Sequence, residues 1–267
     1  MRLTVLGTGT ARPVADTAAS GLLIEAGETS VLFDCGSGIA AALQASVGAE
    51  ALTGVVIGHL HADHWVDLAP MRYRFPWGER AARRLPVFLP PGGRDRLDHL
   101  ATAISERAGF FDDAFEIREY ASYTAFTLGD LTIEPLPVGH YVPAWSMDIR
   151  APGGERIVYA GDMGPADTVV DLARGADLLI LEATLETAAG DDLRRGHLTT
   201  EEAIDHAVRA GVPLALLVHY PPERLADIAA RCAASGAPVA PAIAGQVVDV
   251  TRARRSGVAA PGAAAPS

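Results

Sequence analysis

The 267-residue sequence predicts a layered α/β domain whose working residues gather at one rim of its sheets. Three observations predict it. Short apolar, β-branched runs alternate with a few helical stretches along the whole chain. Several of those runs stop at glycine or proline and release histidine or aspartate at once. The densest case is 55–64, Val-Val-Ile-Gly-His-Leu-His-Ala-Asp-His, where a buried strand turns into His59, His61, Asp63 and His64. Imidazole and carboxylate at this density suit a borderline cation such as zinc, which takes both at roughly 2.0–2.2 Å. His59 and His61 alternate onto one side of an extended segment, while Asp63 and His64 turn toward a second position.

Taken in order, residues 3–6 read as the first strand, running into the loop Gly7-Thr8-Gly9-Thr10. No further glycine follows at dinucleotide-binding spacing, so that reading is set aside. Runs 22–25 and 31–34 flank Ala26-Gly27-Glu28 as a hairpin, and Asp34-Cys35-Gly36-Ser37-Gly38 breaks the chain before a helix over 39–44. Asp34 ends its strand facing the metal loop, where it either holds a ligand histidine or is a plain turn carboxylate. Beyond the metal loop, 71–84 is the most aromatic and most basic stretch, with Arg72, Arg74, Trp77, Arg80, Arg83 and Arg84. Arginine beside aromatic rings suits a substrate carrying phosphate and a flat group. It suits a homodimer interface as well. Arg72, Arg74 and Trp77, with Tyr141 further on, are the candidate substrate contacts.

Residues 86–89 read as a strand and 93–108 as an amphipathic helix with His99 at its surface. Strands over 115–120 and 126–136, the second broken at Leu128-Gly129-Asp130, lead to Gly139-His140. A hairpin over 146–150 and 156–160 ends in Gly161-Asp162. Strand 178–181 ends at Glu182, which either supports a ligand from behind or caps the strand. Thr199 and Glu202 have capping-box spacing, so a helix runs from there to about Ala210. His197 lies just ahead of that helix, where an anion would meet both its dipole and the imidazole. His206, mid-helix, is expected to be exposed. Strand 214–218 delivers His219, and a helix over 223–235 and a strand over 239–250 follow. One domain of residues 1–250 is expected, with 251–267 a disordered Pro/Ala/Gly tail.

Composition narrows the function. Thirty-three acidic against 22 basic residues leave a net charge of −11, which argues against gripping long nucleic acid. A small phosphate-bearing substrate stays open, because bound divalent ions invert the local charge. Two distant cysteines, Cys35 and Cys232, form no disulfide framework and fit a reducing compartment. With no leader pattern and no apolar run of about 20 residues, a cytoplasmic protein without membrane contact is expected.

His-x-His-x-Asp-His at 59–64, Gly-His at 139–140, Gly-Asp at 161–162 and the strand-end His219 resemble, in order, the ligand motifs of the metallo-β-lactamase fold superfamily. The resemblance runs from the first strand through His219. It implies a four-layer αββα sandwich with two divalent metal ions at the sheet edge. By the family pattern His59, His61 and His140 would hold one ion, and Asp63, His64 and His219 the other, with Asp162 bridging. The nitrogen-rich set favours Zn2+, with Mn2+ or Fe as alternatives.

Gly-His-Leu-Thr at 196–199, Gly7-Thr8-Gly9-Thr10 and Asp34-Cys35-Gly36 resemble the phosphodiesterase branch, which includes tRNA 3′-processing ribonuclease Z and small cyclic-nucleotide phosphodiesterases. That implies a dinuclear hydrolase of a small phosphodiester, a cyclic nucleotide being one candidate. It further implies that water would be activated at the metals and that Asp63 and His197 would be catalytic, His197 binding phosphate or protonating the leaving alkoxide. Three departures stand out. Ribonuclease Z carries a long basic arm for tRNA between its third histidine motif and the bridging aspartate, where this chain has only 141–161. Tyr159 replaces an acidic partner expected three residues before Asp162. Asp67 stands where the family often has glycine, and either alters the next helix's packing or adds a carboxylate near the site. The rival functions are a thioester, lactone or lactam hydrolase, a di-iron redox protein, and a non-catalytic binding protein, with a tRNA 3′-processing endoribonuclease the alternative that the missing arm disfavours. Ala62, where di-iron relatives carry a carboxylate, argues against the second; the intact set of seven ligands argues against the third.

Overall fold

In the computed structural model the described residues are 1–75, 84–105, 109–190 and 195–251. Trp77, Arg80, Arg83 and all of the expected tail except Thr251 lie outside them. The first half of the chain lays down β1 (Arg2–Thr8), β2 (Ser20–Ala26), β3 (Thr29–Phe33), β4 (Gly54–Val56), β5 (Leu85–Leu89) and β6 (Phe115–Glu119) side by side. The first three pair antiparallel, and β3 to β6 pair parallel. The second half repeats the scheme with β7 (Phe126–Leu128), β8 (Leu131–Val138), β9 (Ala144–Arg150), β10 (Arg156–Tyr159), β11 (Leu178–Glu182), β12 (Ala215–Val218) and β13 (Val239–Pro241). Here the antiparallel part runs to β10, and β10 to β13 are parallel.

Parallel strands need covered crossovers, and the helices supply them. On the first half these are α1 (Ile39–Ser46), α2 (Ala62–Trp65), α3 (Leu68–Met71) and α4 (Gly93–Ser105); on the second, α5 (Asp167–Ala173), α6 (Thr200–Ala210) and α7 (Leu225–Ser235). The strands read as unbroken apolar runs because each sheet is buried on both faces. Alternate side chains of one strand therefore enter different cores. From β3, Val31 and Phe33 join β11's Leu178 and Ile180 between the sheets. Leu32 instead packs outward with Ile39 and Leu43 of α1. On the other side Leu179 and Leu181 pack outward with Val169 of α5 and Ala203 of α6. Three cores between four layers make the αββα sandwich. No helix among the described residues is long and apolar enough to cross a membrane.

Two expectations are corrected. The apolar run 239–250 is two strands, not one. After β13 the chain turns at Gly245 (φ 83°) and crosses to the first sheet, where β14 (Val247–Asp249) pairs with β1. A continuous apolar run conceals such a crossing, because both strands are partly buried. His206 is buried, not exposed: its Nε2 accepts from Ala166 N at 3.1 Å, and its Nδ1 donates to Glu202 O at 2.7 Å. The loop after Asp162 lies over the helix face that pattern alone leaves to solvent.

The sandwich brings its functional loops to one edge. Asp34, the 59–64 segment, Asp162 and His219 all follow the C-terminal ends of strands with parallel neighbours, where open α/β sheets place ligands. The two sheets are joined there through Trp145 N, which donates to Gly58 O at 3.1 Å, and through a bridge between His59 and Ala144.

Candidate metal centre

The 59–64 segment leaves β4 extended and is forced into α2 by its surroundings. Cys35 N donates to His64 O at 2.6 Å, and Gly36 lies so close to Asp63 O that a Cβ would fall 1.8 Å from it. Only glycine lets the 34–38 turn approach this closely. The segment divides its candidate ligands between two groups. His59 Nε2 lies 3.2 Å, and His140 Nε2 3.0 Å, from His61 Nδ1. On the other side His219 Nε2 lies 3.1 Å, and His64 Nε2 3.7 Å, from Asp63 Oδ2. Asp162 Oδ2 stands between the groups, 3.8 Å from His59, 4.0 Å from His140, 3.3 Å from His64 and 3.4 Å from His219. His59, His61, His140 and Asp162 form one set of atoms that can hold a metal ion; Asp63, His64 and His219 form another.

Partners behind the rings fix which nitrogen faces inward. His64 Nδ1 donates to Asp34 Oδ2 at 2.8 Å, and Asp34 in turn accepts from Gly58 N at 2.8 Å and the Tyr159 hydroxyl at 2.7 Å. His140 Nδ1 donates to Gly196 O at 2.6 Å. His219 Nδ1 lies 2.8 Å from the Thr184 hydroxyl, which donates to Glu182 Oε2 at 2.5 Å. Asp34 and His219 both adopt left-handed backbone (φ 60° and 51°), strain that a site tolerates when it aims a side chain.

The donors fit a cation. Three ring nitrogens at 3.0–3.2 Å cannot all be satisfied by protons shared among themselves. Bonds of roughly 2.0–2.1 Å to a tetrahedral zinc place neighbouring nitrogens about 3.3 Å apart, close to what is seen. Burial lowers His59 well below the ordinary imidazole range, helped by His64 and opposed by Asp162. It lowers His61 too, and pushes His140 down to about 4 against the pull of Asp162 and the Gly196 carbonyl. His64 moves oppositely: burial disfavours its charge, yet Asp162 and Asp34 outweigh it and raise the pKa well above the usual value. Burial also opposes ionisation of Asp162, but His219, His64 and His59 hold its carboxyl well below the carboxylate range. The first set is thus ready as neutral nitrogen ligands, whereas the second carries a proton that a cation would displace.

The sequence matches the beta-lactamase superfamily domain over residues 29–220. The chain belongs to the metallo-β-lactamase-fold hydrolase family. An uncharacterized protein of Mycobacterium tuberculosis is 37% identical over 229 residues, 83% of this chain and 81% of that one. The probable metallo-hydrolase YhfI of Bacillus subtilis is 31% identical over 230 residues, 83% of this chain and 87% of YhfI. Its crystal structure superposes with a TM-score of 0.80, at 27% identity, covering 93% of this chain and 99% of that one. Ribonuclease Z of Mycobacterium bovis is 30% identical over 244 residues, with 83% of this chain and 86% of that one covered.

In this metallo-β-lactamase-fold protein the ligand groups floor a cavity of about 490 Å³, lined also by His197, Thr184 and the loop residues Thr10, Ala11 and Arg12. His197 Nδ1 sits 2.7 Å from Glu182 Oε1 and 4.0 Å from Asp162 Oδ2. Tyr141 is brought to the site, its ring centroid 5.0 Å from His140's and 5.4 Å from His197's, pressed flat on Gly196. Arg72 and Arg74 are not. Arg72 is buried, donating to Phe110 O at 2.8 Å and Asp113 at 3.2 Å; Arg74 reaches Gln44 and Glu50. A tight turn after α3 sends both away from the cavity lining, a direction composition cannot reveal. Of the open alternatives, Asp34 holds the candidate ligand His64, Glu182 stands behind two histidines, and Tyr159 stands where an acidic partner was expected and donates to Asp34. Of the further lining residues, Arg12 carries no local signal in the sequence, whereas Thr184 lies two residues past Glu182 at a strand exit.

Proposed function

We propose that this protein is a metal-dependent phosphodiesterase acting on a small phosphodiester, with cyclic nucleotides among the substrates to be tried first. The Glu182–His197 pair carries the reading. A departing alkoxide needs a proton, whereas a departing thiolate does not, and a positioned acid contributes about 10²–10⁴-fold. His197 lines the cavity beside the ligand groups, with Nδ1 held by a carboxylate that has no solvent exposure. Glu182 is itself fixed by Met163 N at 2.8 Å and by Thr184, so it sets the tautomer and orientation of the ring. Burial raises the Glu182 pKa, while the bond from His197 opposes the rise.

Two divalent ions, zinc being favoured by the nitrogen-rich set, would be held by His59, His61 and His140, and by Asp63, His64 and His219, with Asp162 shared; they would supply water of lowered pKa and neutralise phosphate oxygens. Asp63 lines the cavity and is the residue assigned to orient the attacking water and take its proton. His197 protonates the leaving oxygen. Tyr141 offers a ring face to a flat leaving group.

The 30% identity to a ribonuclease Z supports phosphodiester chemistry. Small substrates are supported by the span between His140 and Asp162, which β9, β10 and their turn consume, so no arm emerges there. The proposal includes a cytoplasmic setting, with which the two free, buried thiols are compatible. It also includes a homodimer, with the exposed Tyr73 a candidate contact.

His197→Ala tests the reading. It should retain its metal and lose about 10²–10⁴-fold in turnover on bis-p-nitrophenyl phosphate or cyclic nucleotides. His197 also lies within ligand reach of Asp162 and His219, so a parallel loss of metal would make it a ligand instead. Cleavage of a thioester or lactam but of no phosphodiester would replace the proposed activity.

A further inference from the structure

One wall of the cavity is the loop after β1, and its Arg12 is the one arginine among the described lining residues. The chain contains no lysine, so every permanently cationic side chain is a guanidinium. The other partly or fully buried arginines around the site are committed to the frame. Arg224 donates to Ala183 O, Thr184 O and the Thr200 hydroxyl, and Arg195 pairs with Glu202. Arg12 differs. Its side chain is 59% exposed and ion-pairs with Glu223, itself 56% exposed, on the turn Pro222–Arg224 that follows His219.

That pair is not needed to hold either segment. The β1 loop is closed by Gly9 N to Ala18 O and Ala19 N to Ser37 O, both 2.9 Å, and the turn is tied down by Arg224. An exposed pair contributes only about 0–1 kcal/mol, so exchanging its anion costs little. What the pair shows is the chemistry the fork is aimed at: one Arg12 nitrogen already holds a carboxylate oxygen at the cavity wall, and a planar guanidinium can grip a phosphate through two. A scissile phosphate would lie on the cavity floor among the ligand groups. The cavity volume falls in the range that holds a nucleotide-sized ligand, which leaves another group of the substrate at Arg12. On a protein of net charge −11 a dianionic end group is repelled unless a fixed cation meets it.

We propose that Arg12 anchors a second phosphate of the substrate, apart from the scissile diester, and releases Glu223 to do so. The inference rests on the phosphodiesterase reading and narrows it, favouring diesters that carry a further phosphate over cyclic mononucleotides that carry one. Glu223 acts as a competitor that the second phosphate displaces.

Calorimetric binding of thymidine 5′-phosphate and thymidine 3′,5′-bisphosphate to the metal-loaded protein tests this without turnover. The bisphosphate should bind at least about tenfold tighter to the unaltered protein, as a charge-assisted bidentate contact would give. Arg12→Ala should erase that preference, Arg12→Lys should keep part of it, and Glu223→Gln should widen it. Equal affinity for the two nucleotides overturns the proposal. So does a shift of the preference in the same direction by Arg12→Ala and Glu223→Gln, the result expected of a simple clasp. If simple p-nitrophenyl diesters are cleaved but the preference is missing, the role of Arg12 fails alone. If the preference is present but no diester is cleaved, the phosphodiesterase reading fails alone.

Discussion

The two ligand groups are made of the same residue types but are held differently. His64 and His219 are backed by chains of side-chain oxygens: Asp34 with Tyr159 behind one, Thr184 with Glu182 behind the other. In the His59–His61–His140 group, only His140 has a partner outside the group, the neutral carbonyl of Gly196. His59 Nε2 and His61 Nδ1 are hydrogen-bonded within it. A carboxylate behind an imidazole fixes the ring and raises its basicity as a ligand. One half of the centre is therefore stiff and electron-rich, the other preformed mainly by packing. Stiffness should translate into retention: a chelator should strip metal first from the half whose rings have no carboxylate behind them.

Asp34→Asn is the sharpest way to break that difference, and the largest effect. Asparagine tolerates the left-handed backbone at this position, so the turn survives. The change should weaken metal binding at the His64 side by about 10–100-fold. Elemental analysis across graded chelator should show two steps of metal loss in the unaltered protein and one in the variant. A single step before the substitution would mean the two halves are equivalent.

The halves also differ in protons, which gives a second, intermediate effect on the metal-free protein. Burial holds His59, His61 and His140 below the ordinary imidazole pKa, His140 at about 4. The unfolded chain takes up protons near pH 6.5 that these folded rings refuse, so each loses stability as pH falls from about 6.5 toward its folded value. His64, raised by Asp162 and Asp34, has the opposite sign and contributes fully below about 6.5. With three lowered imidazoles against the raised His64 and the raised Glu182, stability of the chelated protein should fall between pH 7 and pH 5, and His61→Ala and His140→Ala should each flatten the slope. Denaturant unfolding of chelated samples measures it, and a slope rising toward acid would give His64 the upper hand.

This asymmetry was only half visible in the sequence. The convergence of the candidate ligands was legible because each follows a short buried strand, and strand ends on a two-sided sheet have one place to converge. Their supports were not. Tyr159 reaches Asp34 across 125 residues of chain, and no local pattern says whether a tyrosine closing a strand points at a carboxylate or into a core. Arg72 shows the converse: a basic, aromatic neighbourhood suggested a substrate wall, yet its guanidinium serves the Phe110 carbonyl and Asp113. His206 looked solvent-facing on its own helix and is covered by a loop from another. A layered α/β domain followed from the alternation of strands and helices and its four layers from the family resemblance, but the crossing between β13 and β14 did not, since a strand pairing with the opposite sheet has the same apolar composition.

Asp67 gives the smallest effect and separates support of the fold from support of the metal. Its position in the family pattern left open whether it bears on the site. The carboxylate turns the other way: Oδ2 accepts from Ala40 N at 2.9 Å at the start of α1, a helix that begins after Gly38 with no capping side chain of its own. Asp67 is thus an N-cap supplied from another segment, and satisfies donors the helix leaves open. Burial raises its pKa, although the Ala40, Gly38 and Ile39 amides oppose the shift. A folded pKa above the unfolded one means that this group favours the folded state more once protonated, below about pH 4, than at neutral pH. Loss of charge alone should therefore be tolerated. Asp67→Asn, which keeps an acceptor oxygen, should melt close to the parent, while Asp67→Ala should cost about 1 kcal/mol, roughly 2–4 °C in Tm. Metal content should be equal in both. If Asp67→Ala sheds metal along with its few degrees, the carboxylate supports the centre after all, and the line drawn here between α1 and the His64 side of the site disappears.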